Sequence, residues 1–133
     1  MIKSLHFRLA SRNTHYWVVL LAFFSLSFDF SSSAIQWTTE TDYDFGVVEF
    51  GTTSGVVFSF QNISADSVLL QTVRTTCGCT AAEWPEQPLA PGAKGDLRIE
   101  FTAENKGPFS KKIRVFFDAM RKPEILMIRG RVE

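Results

Sequence analysis

The sequence predicts an all-β domain, a sandwich of about seven short strands preceded by a signal-peptide helix. Three observations carry that expectation. Apolar and polar residues alternate with period two through most of the chain after residue 34, the mark of half-buried strands. Breaks rich in Gly, Pro and Asn separate strands of six to nine residues. No segment of that region keeps helical spacing over three turns. About 100 residues with this pattern describe an immunoglobulin-like sandwich, and a small closed barrel is the alternative.

The leader comes first. Lys3, Arg8 and Arg12 precede an apolar run from Tyr16 to Phe28, 13 residues inclusive. A bilayer-spanning helix needs roughly 20 apolar residues, so the run is short for an anchor. A basic start, a short apolar middle and a small-residue exit describe a secretory signal peptide. Ser32 and Ala34 stand at the minus-three and minus-one positions of a cut after Ala34. The expected organisation is a leader over residues 1–34 and a β-sandwich over residues 35–133, with an uncleaved anchor as the alternative. That division places the domain in the periplasm or outside the cell, and the membrane enters only through the leader before cleavage.

The strands follow in order. Gln36 to Asp42 is polar and reads as a loose lead-in or a short edge strand. In "GVVFSFQN", Val56, Phe58 and Phe60 share one face and Val57, Ser59 and Gln61 the other. "DSVLLQTVR" is a strand whose adjacent Val68, Leu69 and Leu70 leave its register open. "GDLRIEFTA" turns Leu97, Ile99 and Phe101 inward, and "KKIRVFFDA" turns Ile113, Val115 and Phe117 inward. In "EILMIRGRVE" the inner row is Leu126, Ile128, Gly130 and Val132. Asn62 to Ser67, Ala90 to Gly95 and Asn105 to Phe109 carry turn chemistry. Pro91-Gly92 suits a type II turn, in which Pro sets the first torsion and Gly supplies the positive one. Trp84, extended by the Pro85 that follows it, reads as a plug on the core, with ligand stacking as the sharper alternative.

Composition removes several functional classes. After residue 34 the chain has 11 basic and 13 acidic residues, a net charge of minus two, so no basic nucleic-acid footprint is present. Both histidines, His6 and His15, lie in the leader. The domain therefore has no histidine base, no histidine metal ligand and no Cys–His or Ser–His pair. Its carboxylates are scattered over outward positions. Asn62-Ile63-Ser64 matches a glycosylation acceptor and reads here as a turn.

The two cysteines, Cys77 and Cys79, are one glycine apart. On a regular strand residues two apart lie roughly 6.6 Å apart, near the upper limit of about 6.8 Å for a disulfide. A bridge therefore needs a pinch in the chain, for which Gly78 provides freedom. Three readings stay open: a packed structural pair, bridged or free; a thiol–disulfide role, with Arg74 the nearby cation; and a soft-metal site favouring copper(I). Zinc suits the site poorly, because two sulfurs leave two ligand positions to be filled without histidine.

"DYDFGVVEFG", "GVVFSFQN", "VRTTCGCTAAEWP", "LAPGAKGDLRIEF" and "IRGRV" together resemble the bacterial secreted family known as domain of unknown function 1573. The resemblance runs from about Tyr43 to Val132, and its most specific element is Cys77-Gly78-Cys79-Thr80 with Trp84-Pro85. It implies an immunoglobulin-like sandwich, related in type to sperm-protein-like and cilia-associated domains, and no established activity. Two places depart from the family pattern. Ile63-Ser64-Ala65 follows Asn62 where a glycine is usual, and Phe116-Phe117-Asp118-Ala119 replaces a small polar ending. The expected function is a non-catalytic interaction module that uses no cofactor and takes another protein or a cell-envelope component as its partner. The competing class is a small redox or copper(I)-handling protein working through Cys77 and Cys79.

Overall fold

Eight strands build the part of the chain that the computed structural model describes, residues 33–133. They are β1 Ile35–Trp37, β2 Asp42–Val48, β3 Thr53–Asn62, β4 Leu70–Arg74, β5 Thr80–Glu83, β6 Lys94–Thr102, β7 Gly107–Phe117 and β8 Glu124–Val132. The basic start and apolar run of the leader lie outside the described residues. Among the described residues no helix is long and apolar enough to cross a membrane.

The strands form two four-stranded sheets, ordered β1-β3-β6-β5 and β2-β8-β7-β4. All pairs are antiparallel except β2 with β8, which run parallel. Two such layers, each apolar on one face, bury those faces against each other as a sandwich. The fold class is therefore an all-β, immunoglobulin-like sandwich. It has eight strands where the sequence pattern indicated about seven: the polar lead-in contributes a three-residue edge strand, β1, and β2 and β5 join the five strands read from alternation.

Period two decides which side chains are inside. In β6, Gly95, Leu97, Ile99 and Phe101 are buried, while Asp96, Arg98 and Glu100 are exposed. β3 pairs Phe58 with Leu97 and Phe60 with Gly95. Gly95 is needed there, since a Cβ on it would stand 2.8 Å from Cζ of Phe60. Across the sandwich, the Phe60 and Phe117 rings meet edge to face at 5.3 Å. Ile113, Val115, Leu126, Ile128 and Val132 complete the opposite layer. Burying each such side chain contributes about 1.5–3 kcal/mol before chain entropy is charged against it.

The turns follow local chemistry. The amide of Ala93 donates to the carbonyl of Ala90 at 3.0 Å, and Gly92 has φ +78°, the type II geometry expected of Pro91-Gly92. All three expected breaks are shorter than their composition implied: β3 runs to Asn62, β6 begins at Lys94, and β7 already begins at Gly107, so Gly107–Phe109 belong to a strand. Pairing with β8 decides the last, because Gly107 registers with Val132 and Phe109 with Gly130. In the Val68–Leu70 stretch, Val68 forms an isolated bridge with Leu89, and β4 proper starts only at Leu70.

Candidate functional site

Cys77 and Cys79 are joined in a disulfide, with Cα atoms 5.3 Å apart. The pinch is a turn between β4 and β5. It does not depend on the glycine: Gly78 has no positive φ, and a Cβ there would meet nothing within 4 Å. The bend comes instead from the hydrogen bonds around it. The Thr75 hydroxyl faces the carbonyls of Cys77 at 3.0 Å and Thr80 at 3.4 Å. The buried Thr80 hydroxyl lies 3.6 Å from Sγ of Cys77 and is the donor, since a disulfide sulfur carries no proton. The Thr102 amide donates to the Cys79 carbonyl at 2.9 Å, fastening the loop to β6.

β4 and β5 are each the last strand of their sheet. The bridged loop is the short connection between them, so both unpaired edges lie on one side of the sandwich. The other two edge strands are β1, three residues long, and β2, with a register shift between Asp44 and Val47; β4 carries a shift too, between Leu70 and Thr72, and β5 has four residues. At the β2 shift Gly46 has φ +67°, and its amide is held by the Asp44 carboxylate at 2.8 Å.

Beside the bridge lies a cleft of about 280 Å³, lined among others by Cys79, Phe101, Phe109, Glu104, Lys106 and Lys111. Its apolar wall is the stacked pair Phe101 and Phe109, with ring centroids 4.1 Å apart. Phe45 from β2 lies 6.4 Å from each of them, and Tyr43 meets Phe45 edge to face at 5.0 Å. Lys111 is the residue that strand-by-strand reading passed over. It stands in the inward row of β7 between Phe109 and Ile113, and a charge in an apolar row was the available signal. Arg74, the cation expected near the cysteines, is engaged elsewhere. Its guanidinium sits 5.1 Å over the Phe116 ring, on the outer face of the second sheet.

Trp84 is half-buried and packs on the core. It also walls a hollow of about 490 Å³ on the first sheet, lined by Val57, Glu83, Pro85, Lys94, Gly95, Asp96 and Arg98. Asn62, first residue of the apparent glycosylation acceptor, is fully buried. Its amide nitrogen donates to the carbonyls of Asp66 and Leu89, both at 2.8 Å, and its oxygen accepts from the Ser64 amide and hydroxyl. Among the described residues no three His, Cys, Asp or Glu side chains gather into a metal-binding group.

The chain and its fold have counterparts among known proteins. The profile of the family described as "Protein of unknown function (DUF1573)" matches residues 35–132. No curated protein matches in sequence. Among the solved structures that share the fold are three of different origin. A protein of unknown function from Porphyromonas gingivalis is 19% identical, with TM-score 0.63, over 77% of this chain and 51% of that one. The chain thus spans about half the length of that protein. The ASH/PapD-like domain 7 of human CEP192 is 13% identical, with TM-score 0.64, over 77% of this chain and 87% of that one. The secreted serine protease VesC of Vibrio cholerae is 16% identical, with TM-score 0.59, over 84% of this chain but only 26% of the protease.

Proposed function

This chain belongs to the DUF1573 family of proteins of unknown function, and from that premise we propose that it is an exported, non-catalytic interaction module that docks an extended segment of a partner protein. One observation carries this reading: among the described residues β4 and β5 leave their edges unpaired on the same side, and a disulfide fixes the loop between them. An unpaired edge presents a row of backbone N–H and C=O groups that another strand can complete. Holding two such edges in fixed relation lowers the ordering cost of binding. The periplasm or cell exterior is the compartment that suits both the leader and the bridge.

A second reading has one observation in its favour: Lys111 and Cys79 line the same cleft. In thiol–disulfide exchange, a substrate thiolate attacks one sulfur of the bridge and the other leaves as a thiolate. A second substrate thiol then resolves the mixed disulfide, leaving the substrate oxidised and Cys77 and Cys79 reduced. A nearby ammonium favours the leaving thiolate.

Thiol counting with metal analysis, on protein purified from its own compartment, separates the two. The module reading expects no free thiol, no stoichiometric metal and no disulfide exchange with a dithiol peptide. Two free thiols carrying one copper(I), or rapid exchange with the peptide, would overturn it.

A further inference from the structure

The outer face of the sheet β2-β8-β7-β4 differs in charge from the rest of the domain. Its outward rows bring together Arg74 of β4, Lys112 and Arg114 of β7, and Arg129 and Arg131 of β8, all exposed. The register sets Arg74 beside Arg114, and Lys112 beside Met127. Two carboxylates share the face, Asp42 and Asp44 of β2, and both are bound to Arg129, at 3.2 and 3.4 Å. Among the described residues these are the ion pairs formed, so Arg74, Lys112, Arg114 and Arg131 keep their charge uncompensated.

Five cations against two carboxylates give this face a net charge of plus three. Residues 33–133 as a whole hold eleven basic and thirteen acidic residues, so everything else in the domain carries six basic against eleven acidic. The outer rows of the other sheet show the contrast: Lys94 and Arg98 stand among Glu83, Asp96 and Glu100.

Apolar side chains are interleaved with the cations. Val47 is 67% exposed and Ile125 41% exposed. Val47 registers directly with Arg131 and Ile125 with Arg114, and half-buried Met127 and Phe116 belong to the same outward rows. Next to Arg129 and Arg131 the face dips into a hollow of about 400 Å³, with Gly46 and Gly130 in its lining and Val47, Ser110 and Asp44 around it.

We propose that this face lies on an anionic phospholipid surface, with the cations on headgroup phosphates, Val47 and Ile125 in the interfacial layer, and the hollow at Arg131 receiving one headgroup. The match is one of shape and charge. Outward side chains stand about 5 Å apart across strands and about 7 Å apart along them, so the cations form a two-dimensional array. An added peptide strand reaches only the row beside it, whereas a planar anionic surface meets every row at once. Basic residues with interspersed apolar ones are the chemistry of interfacial binding. The face shares only Arg74 with the β4 edge and nothing with β5, and its other cations lie on β7 and β8, so the inference stands whether or not those edges take a partner strand.

The test is co-sedimentation of the full-length chain with phosphatidylglycerol–phosphatidylcholine vesicles and with phosphatidylcholine vesicles. The leader is present in every variant and contributes equally. Arg74→Gln, Lys112→Gln, Arg114→Gln and Arg131→Gln are combined in one variant. Lys94→Gln with Arg98→Gln, on the other sheet, is the control. Each cation near an anionic surface changes affinity on the order of fivefold, so the four-fold variant should lose well over tenfold on anionic vesicles, and the control little. The wild-type preference for anionic vesicles should fall as salt rises. A variant with Lys in place of the three arginines should bind like wild type, which separates lost charge from lost fold. Equal binding by the Gln variant and the control, or no preference for anionic vesicles, would overturn the proposal. Binding of soluble polyglutamate without vesicle binding would replace it with an acidic protein partner.

Discussion

The side-chain amide of Asn62 donates to the carbonyl of Leu89 at 2.8 Å, and so ties the end of β3 to the segment that enters β6. The same nitrogen reaches Asp66, while the oxygen takes two donors from Ser64. The backbone of Asn62 is also paired, with Ala93 and Gly92. A fully buried amide with every partner in place specifies one turn geometry, and no glycine is needed there.

Asn62→Ala should therefore cost about 2–3 kcal/mol, from the unpaired Ser64 amide and the lost packing. Asn62→Asp should be at least as damaging at neutral pH, because a carboxylate cannot donate to the Asp66 and Leu89 carbonyls. Urea unfolding at constant m-value measures both. A loss below about 0.5 kcal/mol for Asn62→Ala would mean that the amide contributes nothing.

Two glycines should respond unequally to a methyl group. A Cβ on Gly130 would stand 2.8 Å from the Gly46 carbonyl oxygen and 2.9 Å from the Phe109 ring. Overpacking of this kind costs about 1–3 kcal/mol. Gly78→Ala meets open space and should lie within about 0.5 kcal/mol of wild type with its bridge intact. Thermal unfolding of the two variants side by side checks the ordering.

Phe58 is 1% exposed at the centre of the first sheet. Phe58→Ala should cost about 3–5 kcal/mol. A change under about 1 kcal/mol in equilibrium unfolding would place Phe58 outside the core.

Replacing Cys77 and Cys79 together by serine should leave a folded β domain. The bridge closes a minimal loop, so its effect on the unfolded chain is small. A loss of about 1–3 kcal/mol is expected, with an unchanged β-type circular dichroism spectrum. Collapse of that spectrum would make the bridge a condition of folding.

The core was legible in the sequence because period two is a local signal. Phe58, Phe60, Leu97, Ile99, Ile113, Val115, Leu126 and Ile128 are buried as their alternation implied. The Pro91-Gly92 turn was legible for the same reason. What depends on strand order was not. Lys111 and Cys79 share a cleft because β5, β6 and β7 converge there, and no local pattern encodes that. The basic face was hidden twice over: its residues come from strands far apart in the chain, and the near-zero net charge averaged them away. Gly78 misled in the opposite sense, since a glycine between two cysteines invites a conformational role that the hydrogen bonds of Thr75 and Thr80 already fill.

The central claim, that the β4 and β5 edges receive a partner segment, is tested most directly by site-specific photo-crosslinking in the producing cell. A photoreactive residue is placed at exposed Gln71 on β4, at exposed Ala81 on β5, and at exposed Glu40 between β1 and β2, at the opposite end of the strand order. The predicted result is one adduct of defined mass from both edge positions, none from Glu40, and a weaker yield when Cys77 and Cys79 are serine. Adducts of equal yield at all three positions, or at Glu40 and neither edge, would contradict it.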